Sequence, residues 1–158
     1  MKYLTIILLT VLGTLDAIAA DTNLTKIDTV IVEIKGTDTD ARFDPVIIEV
    51  NTGDVIQFIV REGIHTVTAY HPDNRRPQRI PTSAQSFNSG LMKKGDQWFL
   101  TISTEGIYDY FCLPHEKVGH VGRIITGAID TTLNYPDENM PAVVVQKLNS
   151  EMEKFLNQ

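Results

Sequence analysis

Four residues in this chain have the types and spacing to hold a metal ion. Cys112, the only cysteine, stands in the run YDYFCLPHEKVGHVGRIITG and is followed by His115 and His120. That spacing, Cys-x2-His-x4-His, closes a short loop between two strand-like segments. His65 lies far upstream in the strand-like stretch GIHTVTAY. One thiolate and three imidazoles complete a four-coordinate site, and soft sulfur with imidazole nitrogen suits copper or zinc while matching magnesium or calcium poorly. The metal itself deprotonates the thiol, so no neighbouring base is needed. His71, six residues after His65, is placed beyond the ligands, as an outer or surface residue. Met92 offers a thioether from a long loop, but its spacing does not favour that role.

The elements that must position these residues read as strands. Residues 29–35 (TVIVEIK) alternate, with Val30, Val32 and Ile34 on one face. Residues 45–50 and 55–60 are β-branched runs around Asn51-Thr52-Gly53-Asp54 and read as a hairpin. Residues 64–70, 98–102, 107–112 and 121–127 supply further strands. Strand ends of a sandwich cluster at one pole, so His65 can reach the Cys112 loop there. Gly119 and Gly122 let the backbone turn tightly around the metal, and Pro114 restricts the loop. About seven short strands separated by turn signals predict an all-β sandwich. From Pro141 on, Val145, Leu148, Met152 and Phe155 recur at helical spacing, so an amphipathic helix is expected to pack on it. The stretch 71–95 is long and polar for a small domain and carries Arg75, Arg76, Arg79, Lys93 and Lys94. Those charges offer a docking rim; a solvated loop is the blander reading.

The chain has 158 residues, enough for one ordinary domain, and at 42% hydrophobic it can bury a core. A net charge of −6 with no basic stripe argues against nucleic acid as a partner. Lys2, the apolar run that follows and Ala17-Ile18-Ala19-Ala20 read as an export signal with cleavage after Ala19 or Ala20. The apolar run is too short to span a bilayer, so no stable membrane insertion is expected once it is removed. Export makes a lone cysteine conspicuous, because exported proteins use cysteines in pairs and an exposed thiol is at risk of oxidation. Metal ligation protects Cys112.

The segments FDPVIIEVNTGDVIQFIV, HTVTAY and GIYDYFCLPHEKVGHVGRIITG resemble the cupredoxin family, plastocyanin and pseudoazurin in particular, and the helical tail is similar to that of pseudoazurin. The resemblance implies a Greek-key β-sandwich. It also implies one copper ion bound by His65, Cys112 and His115, and one-electron transfer with transient redox protein partners. His115 is then the electron exit, within an apolar patch that includes Leu113, Pro114 and Val118. Two residues depart from the family pattern. Thr66 stands where plastocyanin-like members commonly have Asn tying two loops together, and its shorter side chain can still bond across. His120 stands in the axial methionine slot, which resembles nitrosocyanin, a red copper relative that also uses an upstream glutamate; here Glu62 is three residues before His65. An imidazole is a stronger, harder ligand than a thioether and is expected to stabilise Cu(II) and shift the colour towards green or red.

The expectation is therefore an exported, periplasmic copper protein cycling between Cu(I) and Cu(II), an electron carrier rather than an enzyme. Its organisation is a signal at 1–20, a cupredoxin domain at 21–128 and a helical extension at 129–158. A nitrosocyanin-like site that binds or transforms small molecules is the alternative, as is a copper carrier.

Overall fold

The computed structural model describes residues 27–128 and 135–158, so the expected signal at 1–20 lies outside the described residues. The chain runs β1 Thr29–Lys35, β2 Arg42–Asp44, β3 Ile47–Val50, β4 Val55–Val60, β5 Ile64–His65, β6 Thr68–Ala69, β7 Met92–Lys93, β8 Gln97–Thr101, β9 Gly106–Phe111, β10 Val121–Thr126 and α1 Ala142–Leu156. Two four-stranded sheets, ordered β2-β1-β4-β8 and β3-β10-β9-β6, face each other, and β5 pairs with β7 in a separate ribbon. The Greek-key β-sandwich with a C-terminal helix is borne out.

Alternation drives the first sheet. In β1, Val32 and Ile34 are fully buried while Ile31 is exposed, as a half-buried strand requires. Val32, Ile34, Phe43, Ile56 and Phe58 meet Ile48, Tyr108, Tyr110 and Ile124 from the second sheet in the central core. The second sheet differs because both of its faces are covered. Every residue of β10 is buried. Its outer face carries Val121, which packs with Tyr70, Phe111, Val144 and Leu148 beneath α1. Val144 takes the inward position on the helix, one residue before the expected Val145. Among the described residues no helix is long and apolar enough to cross a membrane.

Three expectations are corrected. Residues 45–50 and 55–60 do not form a hairpin: β3 pairs with β10 in one sheet, and β4 pairs with β1 and β8 in the other. The turn between them arches across the sandwich. The Asp54 carboxylate shapes it by accepting from the amides of Asn51 at 2.8 Å and Asp28 at 3.0 Å. The strand expected over 64–70 is two short strands, β5 in the ribbon and β6 in the second sheet, so the chain changes layers just after His65. Gly122 is not a turn residue. It lies in β10 opposite Tyr110, and a Cβ there would overlap the Tyr110 phenol, so glycine makes room for a buried ring.

The long polar stretch is folded into the structure. Asn74 donates from Nδ2 to the Ala69 carbonyl at 2.9 Å, to Ser86 Oγ at 3.0 Å and to the Phe87 carbonyl at 3.2 Å. Arg79 is buried, and its Nε donates to Asp109 at 2.8 Å. Asp109 also accepts from Arg123 at 2.6 and 3.0 Å. Arg79 Nη1 reaches on to the Pro136 carbonyl at 2.8 Å and to Asp137 at 3.1 Å, tying the approach to α1 onto the sheet. Arg79 is thus no part of a docking rim.

Removing the central carboxylate of such a buried cluster leaves buried positive charge short of its counter-ion. Asp109→Ala takes the carboxylate from buried Arg123 and leaves Arg79 with Asp137 and the Pro136 carbonyl; it is expected to cost about 3–5 kcal/mol, read from urea denaturation. A loss below about 1 kcal/mol, the scale of an exposed pair, would contradict the assignment.

Candidate metal centre

The turn of the chain into and out of β9 builds one half of the site. Cys112 follows β9, and Leu113–Val118 coil into a 3₁₀ helix with Pro114 in its first turn. Gly119 ends that helix in the left-handed region at φ 82, a conformation that favours glycine. The chain then returns so that the Cys112 amide donates to the His120 carbonyl at 3.0 Å, and β10 starts one residue later. This closure brings Cys112, His115 and His120 to one pole. His65 arrives from the β5–β7 ribbon.

The ligand-bearing atoms of His65, Cys112, His115 and His120 all lie within 4.8 Å of one another. His65 Nδ1 is 3.6 Å from Cys112 Sγ, and His115 Nδ1 is 3.4 Å from it. Two donors bound to one ion at about 2.0–2.1 Å (nitrogen) and 2.3 Å (sulfur), at a tetrahedral angle, lie about 3.6 Å apart. The spacing fits a single metal ion. His65, Cys112 and His120 are buried, and His115 is partly exposed.

Each ring is held differently. His65 Nε2 lies 2.7 Å from the Glu62 carbonyl and 3.1 Å from the Gly36 carbonyl. Two acceptors at one nitrogen place the proton on Nε2 and leave the Nδ1 lone pair facing the sulfur. Gly63, at φ 77, permits this approach: a Cβ there would lie 2.7 Å from His65 Nε2. His120 stands edge-on to His65, with centroids 5.0 Å apart, and lies 4.1 Å from the Phe43 ring. Neither of its ring nitrogens has a hydrogen-bond partner among the described residues, although the side chain is fully buried. Buried polar atoms are normally satisfied, so two orphaned nitrogens in one imidazole point to a missing electrophile.

Burial governs the protonation of this cluster. It pushes the His120 pKa down to about 2, helped by His65 and His115 close by. Desolvation also lowers that of His65, against the pull of the Glu62 carbonyl. Neutral imidazoles keep their lone pairs available to a cation. Burial raises the Cys112 thiol, opposed by the Thr66 amide, which donates to Sγ at 3.4 Å. A metal cation reverses that balance by stabilising the thiolate.

Thr66 spans the two halves. Its Oγ1 accepts from the Leu113 amide at 2.8 Å and from the Thr68 hydroxyl at 2.9 Å. The shorter side chain therefore does tie the His65 segment to the Cys112 loop. His71 lies outside the cluster; its Nδ1 accepts from the Asp73 amide at 3.1 Å and starts a 3₁₀ turn at Pro72–Asn74. Glu62 is exposed and meets His65 through its carbonyl, and its carboxylate is not in the cluster. Met92 is buried opposite His65 in the ribbon, nearer the site than its sequence spacing suggests. Sequence reasoning missed Glu116. It is buried beside His115 and paired with Arg76, whose own side chain stays 29% exposed.

Ile64, Leu113 and Val118 are exposed, and His115 is half-buried. Thr37, Asp38, Ile64, Pro114 and His115 line an open groove there.

Residues 30–127 match the family model for copper binding proteins of the plastocyanin/azurin family. The chain is 27% identical to pseudoazurin from Paracoccus pantotrophus over 111 residues, which covers 70% of each protein. It is 30% identical to plastocyanin from Ulva pertusa over 89 residues, covering 56% of this chain and 90% of that one. The structure of pseudoazurin from Methylobacterium extorquens AM1 superposes with a TM-score of 0.58 at 18% identity, covering 81% of this chain and 99% of that one. A four-donor pole of one sulfur and three imidazoles, on a sandwich matched nearly end to end by that model, places the cofactor as copper. The chain belongs to the plastocyanin/azurin family of copper-binding proteins.

Proposed function

We propose that the protein is an exported one-electron carrier whose copper ion is held by His65, Cys112, His115 and His120. The observation that carries this reading is the distribution of burial: three donors are sealed from water and only His115 reaches the surface. Bound copper supplies the Cu(II)/Cu(I) couple. The polypeptide supplies the rest. The Glu62 and Gly36 carbonyls fix the His65 ring, Thr66 locks the two ligand segments together, and Phe43 backs the His120 ring. A site so braced changes little between oxidation states, which favours fast transfer. Pseudoazurin and plastocyanin are the relatives to which this role is compared.

His115 is the electron exit, and the exposed Ile64, Leu113 and Val118 form the apolar surface on which redox protein partners dock transiently. Arg75, Lys93 and Lys94, which remain exposed, steer that encounter. Residues 1–20 act as the export signal to the periplasm, 21–128 form the copper domain and 129–158 the extension, whose helix α1 covers the second sheet. The unpaired Cys112 and the pattern around Ala17–Ala20 support that placement.

Absorption and paramagnetic resonance of the Cu(II) form test the ligand set. A thiolate-to-copper band with a green or red colour is expected, and His120→Met should deepen the blue and raise the reduction potential. An identical spectrum in His120→Met would remove His120 from the ligands. Adding azide should leave the spectrum unchanged, since four protein donors leave no open position; a shift would favour small-molecule chemistry instead. Thr66→Val removes the acceptor for the Leu113 amide and is expected to cost about 1–3 kcal/mol, seen as a lower thermal midpoint. No change in the midpoint would mean that Thr66 does not brace the loop.

A further inference from the structure

The three imidazoles are not braced alike. Two carbonyls hold the His65 ring, and Phe43 and full burial hold that of His120. No backbone carbonyl or carboxylate among the described residues holds the His115 ring, which borders an open groove. Its ring meets the Cys112 sulfur at 3.4 Å and the rings of His65 and His120 at 5.0 and 5.9 Å, all members of the same cluster, so an anchor from outside the cluster acts through its backbone.

The next residue is rooted deeply. Glu116 is 6% exposed and accepts from Arg76 Nε at 2.9 and 3.0 Å, from Arg76 Nη2 at 2.6 Å and from the Tyr70 hydroxyl at 3.0 Å. Arg76 lies 4.9 Å over the ring of Phe111, the residue before Cys112, and Tyr70 stacks on the same ring at 4.6 Å. In a 3₁₀ helix successive side chains diverge by about 120°. Glu116 thus points into the body of the protein while His115 points at the sulfur. Burying an ion pair gains little stability over an apolar pair, and its best-attested use is to fix register. Bidentate geometry adds the angular definition that a helix of one or two turns cannot supply alone.

We infer that Glu116, clamped by Arg76 and Tyr70, is a positioning residue for His115, holding the one surface-reaching donor at the metal pole. This rests on His115 being a ligand, as proposed above. Arg76 therefore serves as an anchor for the ligand loop.

The test uses the full-length copper protein with four variants: Glu116→Gln, the charge-free double variant Arg76→Met with Glu116→Met, Arg79→Met and His115→Ala. Copper release to a Cu(I) chelator, the Cu(II) resonance spectrum and the thermal midpoint are read for each. The order of the His115 ring is read by NMR in the metal-free forms. Glu116→Gln and the double variant should release copper about tenfold faster or more, with a second Cu(II) population and a more mobile His115 ring. Arg79→Met, which breaks a buried pair away from the ligand loop, should lower the midpoint without touching the spectrum. The double variant keeps the question answerable if Glu116→Gln alone folds poorly. Wild-type release, spectrum and ring order in the Glu116 variants would overturn the clamp, provided that His115→Ala alters the spectrum. An unaltered spectrum in His115→Ala would overturn the ligand assignment itself, and the clamp with it.

Discussion

A buried imidazole that receives no hydrogen bond at either nitrogen is a costly object in a protein interior, and no described residue hydrogen-bonds to the His120 ring. Leaving a buried polar group unsatisfied costs about 1–3 kcal/mol, and burial also prevents the ring from escaping into the charged form. The donor set fits a cation at the centre of the pole. Cys112, His65 and His115 converge on the same point, and the separations at the sulfur match those of donors around one ion. The hydrogen bonds around the pole hold these four side chains together.

The sandwich meets that demand by dividing it. The β9 to β10 connection carries three of the four donors on one short segment, closed by the bond from the Cys112 amide to the His120 carbonyl. The fourth comes from a two-residue strand that belongs to neither main sheet. Such a short ribbon has little rigidity of its own. Thr66 and the carbonyls of Gly36 and Glu62 supply it, joining the ribbon to the Cys112 loop on one side and to the end of β1 on the other. The outer face of the second sheet is stiffened separately, by α1 over Tyr70 and Phe111 and by the Asp109 cluster that ties the approach to α1 down.

The ligand loop was legible because its chemistry is local. Cys112, His115 and His120 lie within nine residues of a chain with a single cysteine. His65 was legible through strand pattern and the clustering of strand ends. The turn at Asn51-Thr52-Gly53-Asp54 was misread because its residues suit a hairpin and an arch between sheets equally well; only the partners of β3 and β4 decide between them. Arg76 and Arg79 looked like surface charge because their carboxylates, Glu116 and Asp109, are 40 and 30 residues away in sequence. Gly122 looked like a hinge, and its reason is the Tyr110 ring across the sheet. What a single sequence hides is pairing between distant segments.

X-ray absorption at the copper edge of the full-length Cu(II) protein counts and identifies the atoms around the metal. One sulfur with three imidazole nitrogens is the predicted shell, with the sulfur signal lost in Cys112→Ser. A shell lacking sulfur, or one holding only two imidazoles, would contradict the account.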